Sequence, residues 1–114
     1  MKNNTKETIL KTYIRDNDNN PRGVAVAVRN DDRVSYGFSL LNNYRDKFNK
    51  KIGTAIAINR ASQPSYELPE VPERETLVLD AFINLEKRSL KYFKDINPDN
   101  IVLKGHLSTL PWEE

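Results

Sequence analysis

Hydrophobic and polar positions alternate most cleanly between residues 23 and 40. Val24, Val26 and Val28 alternate with Ala25 and Ala27, and Val34, Tyr36, Phe38 and Leu40 alternate with Ser35, Gly37 and Ser39. Two period-2 runs around Asn30-Asp31-Asp32 predict a β-hairpin over about residues 23–40. The bulky set reads as the core face. The small set (Ala25, Ala27, Ser35, Gly37, Ser39) reads as a nearly bare opposite face, with Arg29 at its end by strand parity. Bare backbone admits close approach, by a helix or a partner subunit or else by a ligand. Upstream, Thr8 to Arg15 alternates weakly and predicts an outer strand, and the DNDNNPR run from Asp16 to Arg22 is a loop with an Asn-Pro turn.

Downstream the period changes to that of a helix. From about residue 46 to 61, Phe48, Ile52, Ala55 and Asn59 fall on one stripe, while Gly53, Ala57 and Arg60 fall on another. Asn59 is an amide in line with an apolar stripe, so burial there would demand a backbone or ligand partner, at about 1–3 kcal/mol if left unmet. Three prolines between Gln63 and Pro72 predict an extended connector. Pro72 suits the first turn of a second helix reaching about residue 93, with Glu73 and Glu75 complementing its dipole. Its apolar face (Leu77, Val78, Ala81, Phe82, Leu85, Tyr92, Phe93) is broad, and Leu79, Ile83 and Leu90 extend it further round. Such girth predicts burial on two sides, the second against another subunit. The expected fold class is therefore α+β: a small antiparallel sheet packed against two long helices, homo-oligomeric. Residues 95–114 read as a tail docking on the body, with a DINPDN loop, a short strand at IVLKGHL, and Trp112 as a hydrophobic clip.

At 114 residues the chain is one domain, 1–114, with residues 1–22 as its outer strand and loop. It has no cysteine, which excludes disulfides, thiolate metal sites and a cysteine nucleophile. No leader-like apolar run opens the chain and no run approaches membrane-spanning length, so a soluble cytosolic protein is expected. The net charge of +2 is too small for bulk attraction to a nucleic-acid duplex. Its placement is more informative. Arg45, Lys47, Lys50, Lys51 and Arg60 crowd residues 42–63, whereas Glu67, Glu70, Glu73, Glu75, Asp80 and Glu86 dominate residues 64–86. Segments of opposite sign either pack side by side, within or between chains, or form separate solvated faces.

No nucleophile–base pair, metal-ligand set or phosphate loop occurs in the chain, so no catalytic residue, metal or cofactor is expected. The lone His106 reads as a surface residue. Arginines and an aromatic ring are spread over separate elements: Arg22, Arg29, Phe48, Arg60 and Arg74. Those are parts for holding a phosphate and stacking a base. One charge-assisted arginine–phosphate bond contributes roughly 1.5–3 kcal/mol, and one stacked base about 1–3 kcal/mol. Nanomolar capture requires about 12 kcal/mol net, so tight binding needs an enclosed pocket, which a small domain obtains most naturally at a subunit interface. Arg22 and Arg45 taken singly read as surface residues in weak ion pairs.

The hairpin-then-helix run GVAVAVRNDDRVSYGFSLLNNYRDKFNKKIGTAIAINRAS, followed by LPEVPERETLVLDAFINLEKRSLKYF, resembles phage-encoded Thoeris anti-defence sponge proteins of the first type. The resemblance covers roughly residues 22–94 and leaves His106 and Trp112 unassigned. It implies an N-terminal antiparallel sheet followed by two helices. It also implies assembly through dimers into higher oligomers up to a hexamer, with signal pockets between subunits. The function it implies is sequestration, in the cytoplasm of the infected bacterial host, of a cyclic nucleotide second messenger. The ligands are cyclic ADP-ribose isomers made by a TIR-domain enzyme, bound without degradation, and in some members also cyclic oligonucleotides. The residue types it implies around the ligand are matched here by Arg29, Phe48, Asn59, Arg60 and Arg74.

Two other classes compete. A phage inhibitor acting on a host enzyme by direct contact would be a monomer with the Leu79/Ile83/Leu90 stripe exposed. A nucleic-acid module would use Arg45, Lys47, Lys50 and Lys51 with steep salt dependence, against which the acidic second helix argues.

Overall fold

A computed structural model of the chain describes residues 8–41, 47–63, 69 and 71–101. Strands β1 (Thr8–Arg15), β2 (Pro21–Asn30) and β3 (Arg33–Leu40) form an antiparallel sheet in the order β1-β2-β3. Helices α1 (Lys50–Ala61) and α2 (Pro72–Tyr92) follow, then a 3-10 turn at Pro98–Asn100. The α+β class, the outer strand and the hairpin thus fall where the alternation placed them.

The face assignment of the hairpin does not survive. Asn30 pairs with Arg33 across a two-residue loop, Asp31 taking φ 59° in the left-handed region that Asp tolerates. A loop of that length sets the even positions of β2 opposite the odd positions of β3. Val24, Val26 and Val28 therefore face Ser39, Gly37 and Ser35, while Ala25 and Ala27 face Phe38 and Tyr36. Each face sets large residues of one strand against small residues of the other, and neither is bare.

A helix covers each face. On the Ala25/Ala27 side, α2 buries Val78, Leu79, Ala81, Phe82 and Leu85 against Ile14, Tyr36 and Phe38. The Phe82 ring centroid lies 5.9 Å from that of Tyr36 and 6.0 Å from that of Phe38. Pro72 opens α2 with Glu73 and Glu75 in its first turn, as expected. Leu79 belongs to this core, whereas Leu90 and Tyr92 remain exposed.

On the valine side, α1 sits close to the sheet through Gly53, Ala57 and Ala61. A Cβ added to Gly37 would collide with the Ala57 carbonyl oxygen and lie 2.6 Å from the Ala61 nitrogen. Backbone thus rests nearly on backbone, leaving no room for larger side chains between them. The stripe through Ile52 and Asn59 consequently points outward: Ile52 is 59% exposed and Asn59 is exposed too, so the buried amide anticipated there does not exist. The helix begins at Lys50 and not near residue 46, because the Asn49 Oδ1 accepts from the Ile52 amide at 3.0 Å and caps it. With α1 and α2 on opposite faces, the basic and acidic segments do not lie helix against helix within one protomer.

Residues 93–101 close over the hairpin end. The Tyr36 hydroxyl donates to the Ile101 carbonyl at 2.7 Å, Asn100 Nδ2 donates to the Asp32 carbonyl at 3.0 Å, and Ile96 and Ile101 are buried. Burial raises the Tyr36 phenol above its ordinary pKa. The strand at IVLKGHL beyond Ile101, His106 and Trp112 lie outside the described residues, as do Arg45 and most of the proline-rich connector. Among the described residues no helix is long and apolar enough to cross a membrane.

Among the described residues β1 and β3 are the edges of the sheet, and an arginine reaches each. Arg60 Nη1 donates to the Phe38 carbonyl of β3 at 3.2 Å, and Arg88 Nη1 donates to the Lys11 carbonyl of β1 at 3.0 Å. Leu41 N donates to the Arg22 carbonyl at 2.9 Å, so the bonded β2–β3 pairs alternate from there. That alternation turns the Phe38 carbonyl outward, and by the same count the Lys11 carbonyl.

Candidate ligand-binding clefts

The five residues expected around a ligand occupy separate places. Arg29, at the end of β2, donates from both terminal nitrogens to Asp95, at 2.9 Å to Oδ1, and its guanidinium lies 5.4 Å from the Phe93 ring centroid. That pair holds Asp95 below the usual carboxylate range and raises Arg29. Arg60 lies 5.2 Å from the Phe38 ring centroid as it reaches the β3 edge. The other three line three different clefts.

The first cleft lies at the N-terminal end of α1 and encloses about 290 Å³. Phe48 and Ile52 supply its apolar wall, Gly23 and Gly53 its closest backbone, and Arg22 and Lys47 its cations. Phe48 is half-buried, its ring edge-on to Tyr13 at 5.9 Å. Gly23 is there because a Cβ would strike the Ser39 carbonyl oxygen. Asn49 has satisfied one of the amides at the helix start, and the dipole leaves that end partly positive. Arg22 is no simple surface residue. Its side chain is 22% exposed, and its Nε donates to Asp16 Oδ2 at 3.0 Å. Asp16 also accepts the Asn20 and Asp18 amides at 2.9 Å each, and these bonds, that of Asn20 foremost, lower its pKa.

The second cleft, about 520 Å³, lies between the C-terminal half of α1 and the hairpin end of the sheet, and takes Asn59. The third, about 580 Å³, takes Arg74 between the Asp16–Asp18 loop and the start of α2, where Arg22 and Glu73 also stand. No family model, curated protein or solved structure matches this chain.

Lys47 adjoins Phe48 in the sequence, but nothing local marked Arg22 as their neighbour. Arg22 meets them because Gly23 and Gly53 let the open end of the hairpin and the start of α1 come together. Charges alternate in the third cleft, which disfavours any ligand of one sign. The first combines a ring, the Lys47 ammonium, the Asp16-paired Arg22 guanidinium and close backbone, and suits an anion carrying a flat group.

Proposed function

We propose that the chain is a binding protein that captures a phosphorylated nucleotide without turning it over. The observation that carries this reading is the cleft at the start of α1, where Phe48, Arg22 and Lys47 surround one hollow. A stacked base on Phe48 and phosphate oxygens on the two cations use those groups as their chemistry dictates. About 290 Å³ lies at the small end of ligand pockets. A second copy of the chain would complete the enclosure, with the exposed Ile52 and Ile56 beside the cleft as its apolar contact. The order of sheet then two helices agrees with what the resemblance to Thoeris anti-defence sponges implies, and on that ground the ligand is a cyclic ADP-ribose isomer, held in the cytoplasm of an infected bacterium. The competing direct-contact inhibitor needed an exposed Leu79/Ile83/Leu90 stripe, and Leu79 is buried.

Calorimetry with cyclic ADP-ribose isomers, followed by heat denaturation and chromatography of the released ligand, tests the proposal. Saturable binding, return of intact ligand, and at least tenfold weaker binding in Phe48→Ala are expected. Light scattering should find a dimer or larger. Recovery of a cleaved product, or binding indifferent to Phe48, would overturn it.

A further inference from the structure

The second cleft differs from the first in one decisive way: none of its eight described lining residues carries a formal charge. Strand parity sets Val28 and Asn30 on the α1 face of β2, and Ser35 is the register partner of Val28 on that face. Ala55, Ile58 and Asn59 enter from α1. Two amides, Asn30 and Asn59, thus flank an apolar floor of Val28, Ala55 and Ile58. At about 520 Å³ the space falls within the range of small-molecule sites.

We propose that this cleft is a second binding site, for an uncharged planar group whose edge carries paired hydrogen-bond donor and acceptor, a purine nucleoside being the simplest natural example. An asparagine amide offers one acceptor and two donors side by side, which match such an edge in a bidentate pair. The aliphatic floor provides contact for a flat ring. Anions are disfavoured on two counts. No cation lines the cleft among the described residues, and the C-terminal end of α1 that borders it carries the partial negative charge of the helix dipole. Arg33, opposite Asn30, is exposed and outside the lining. The two ends of α1 are therefore complementary in sign and in ligand, one taking phosphate and the other a neutral ring.

Nuclear magnetic resonance titration of the full chain with adenosine and with adenosine monophosphate tests this directly. Adenosine is expected to give saturable shifts at the side-chain amides of Asn59 and Asn30, and the monophosphate to bind here no more tightly. Asn59→Ala should weaken adenosine about tenfold. Ala55→Phe, at an exposed helical position, should fill the cleft and abolish binding while leaving the rest of the spectrum unchanged. Absence of saturable shifts at millimolar adenosine, or shifts unaltered by both substitutions, would refute the site. So would tighter binding of the monophosphate. Resonances of Lys47 and Phe48 report the other cleft separately, so failure of either proposal is visible without the other.

Discussion

The two faces of the sheet are covered by helices in opposite ways. Against α2, aromatic and branched side chains pack together: Phe82 meets Tyr36 and Phe38, and Val78 and Leu85 share one buried cluster with Ala25 and Ala27. Against α1, the contact is made by what is missing, because Gly37, Gly53 and Ala57 let two backbones approach. Close approach leaves the larger α1 side chains outside and opens a cleft at each end of the helix. One face holds the fold and the other leaves side chains and hollows available to ligands.

Substitution should separate the two roles. Phe82→Ala is expected to have the largest effect, about 3–5 kcal/mol lost in urea unfolding, from a cavity among rings that cannot collapse onto it. Against a typical total of roughly 5–15 kcal/mol, such a variant would be marginal. A loss below about 1 kcal/mol would show that α2 carries less than its burial implies. Gly37→Ala should cost about 3 kcal/mol, the upper end for overpacking, since the obstruction is helix backbone and not a movable side chain. Binding at both α1 clefts should fall with it, because α1 must shift.

The smallest effect is expected at the Arg29–Asp95 pair. Asp95 is depressed by the Arg29 bonds and Asp16 chiefly by the Asn20 amide. Carboxylates lowered in the folded state contribute stability that is present above their unfolded pKa, and it is lost as pH falls through the folded values. Unfolding followed below about pH 4 should therefore show an acid limb that Asp95→Asn flattens in part. Unchanged acid behaviour in that variant would assign the limb to other groups.

The elements themselves were readable along the chain. Alternation gave β1 and the hairpin, and Pro72 with two early glutamates gave the start of α2. Helix α1 was placed too early because Phe48 falls on the same helical stripe as Ile52, Ala55 and Asn59, whereas Asn49 decides the start by capping. The bare face was an error of pairing: parity along one strand is local, but which residues share a face across two strands depends on loop length. The two-residue Asp31-Asp32 loop held that information. The partners of Arg29 and Arg60 were beyond reach, since Asp95 lies 66 positions from Arg29 and the Phe38 carbonyl has no side-chain signature. Asn59 is exposed for the same reason that Gly37 is buried, a matter of helix height above the sheet that no periodicity encodes.

The guanidinium groups of Arg60 and Arg88 occupy carbonyls that would otherwise recruit another strand. Exposed sheet edges are templates for strand addition, and among the described residues β1 and β3 are the edges, each with one outward carbonyl engaged by an arginine from the helix lying over it. At those two points an approaching strand would first have to displace a charged side chain from its carbonyl.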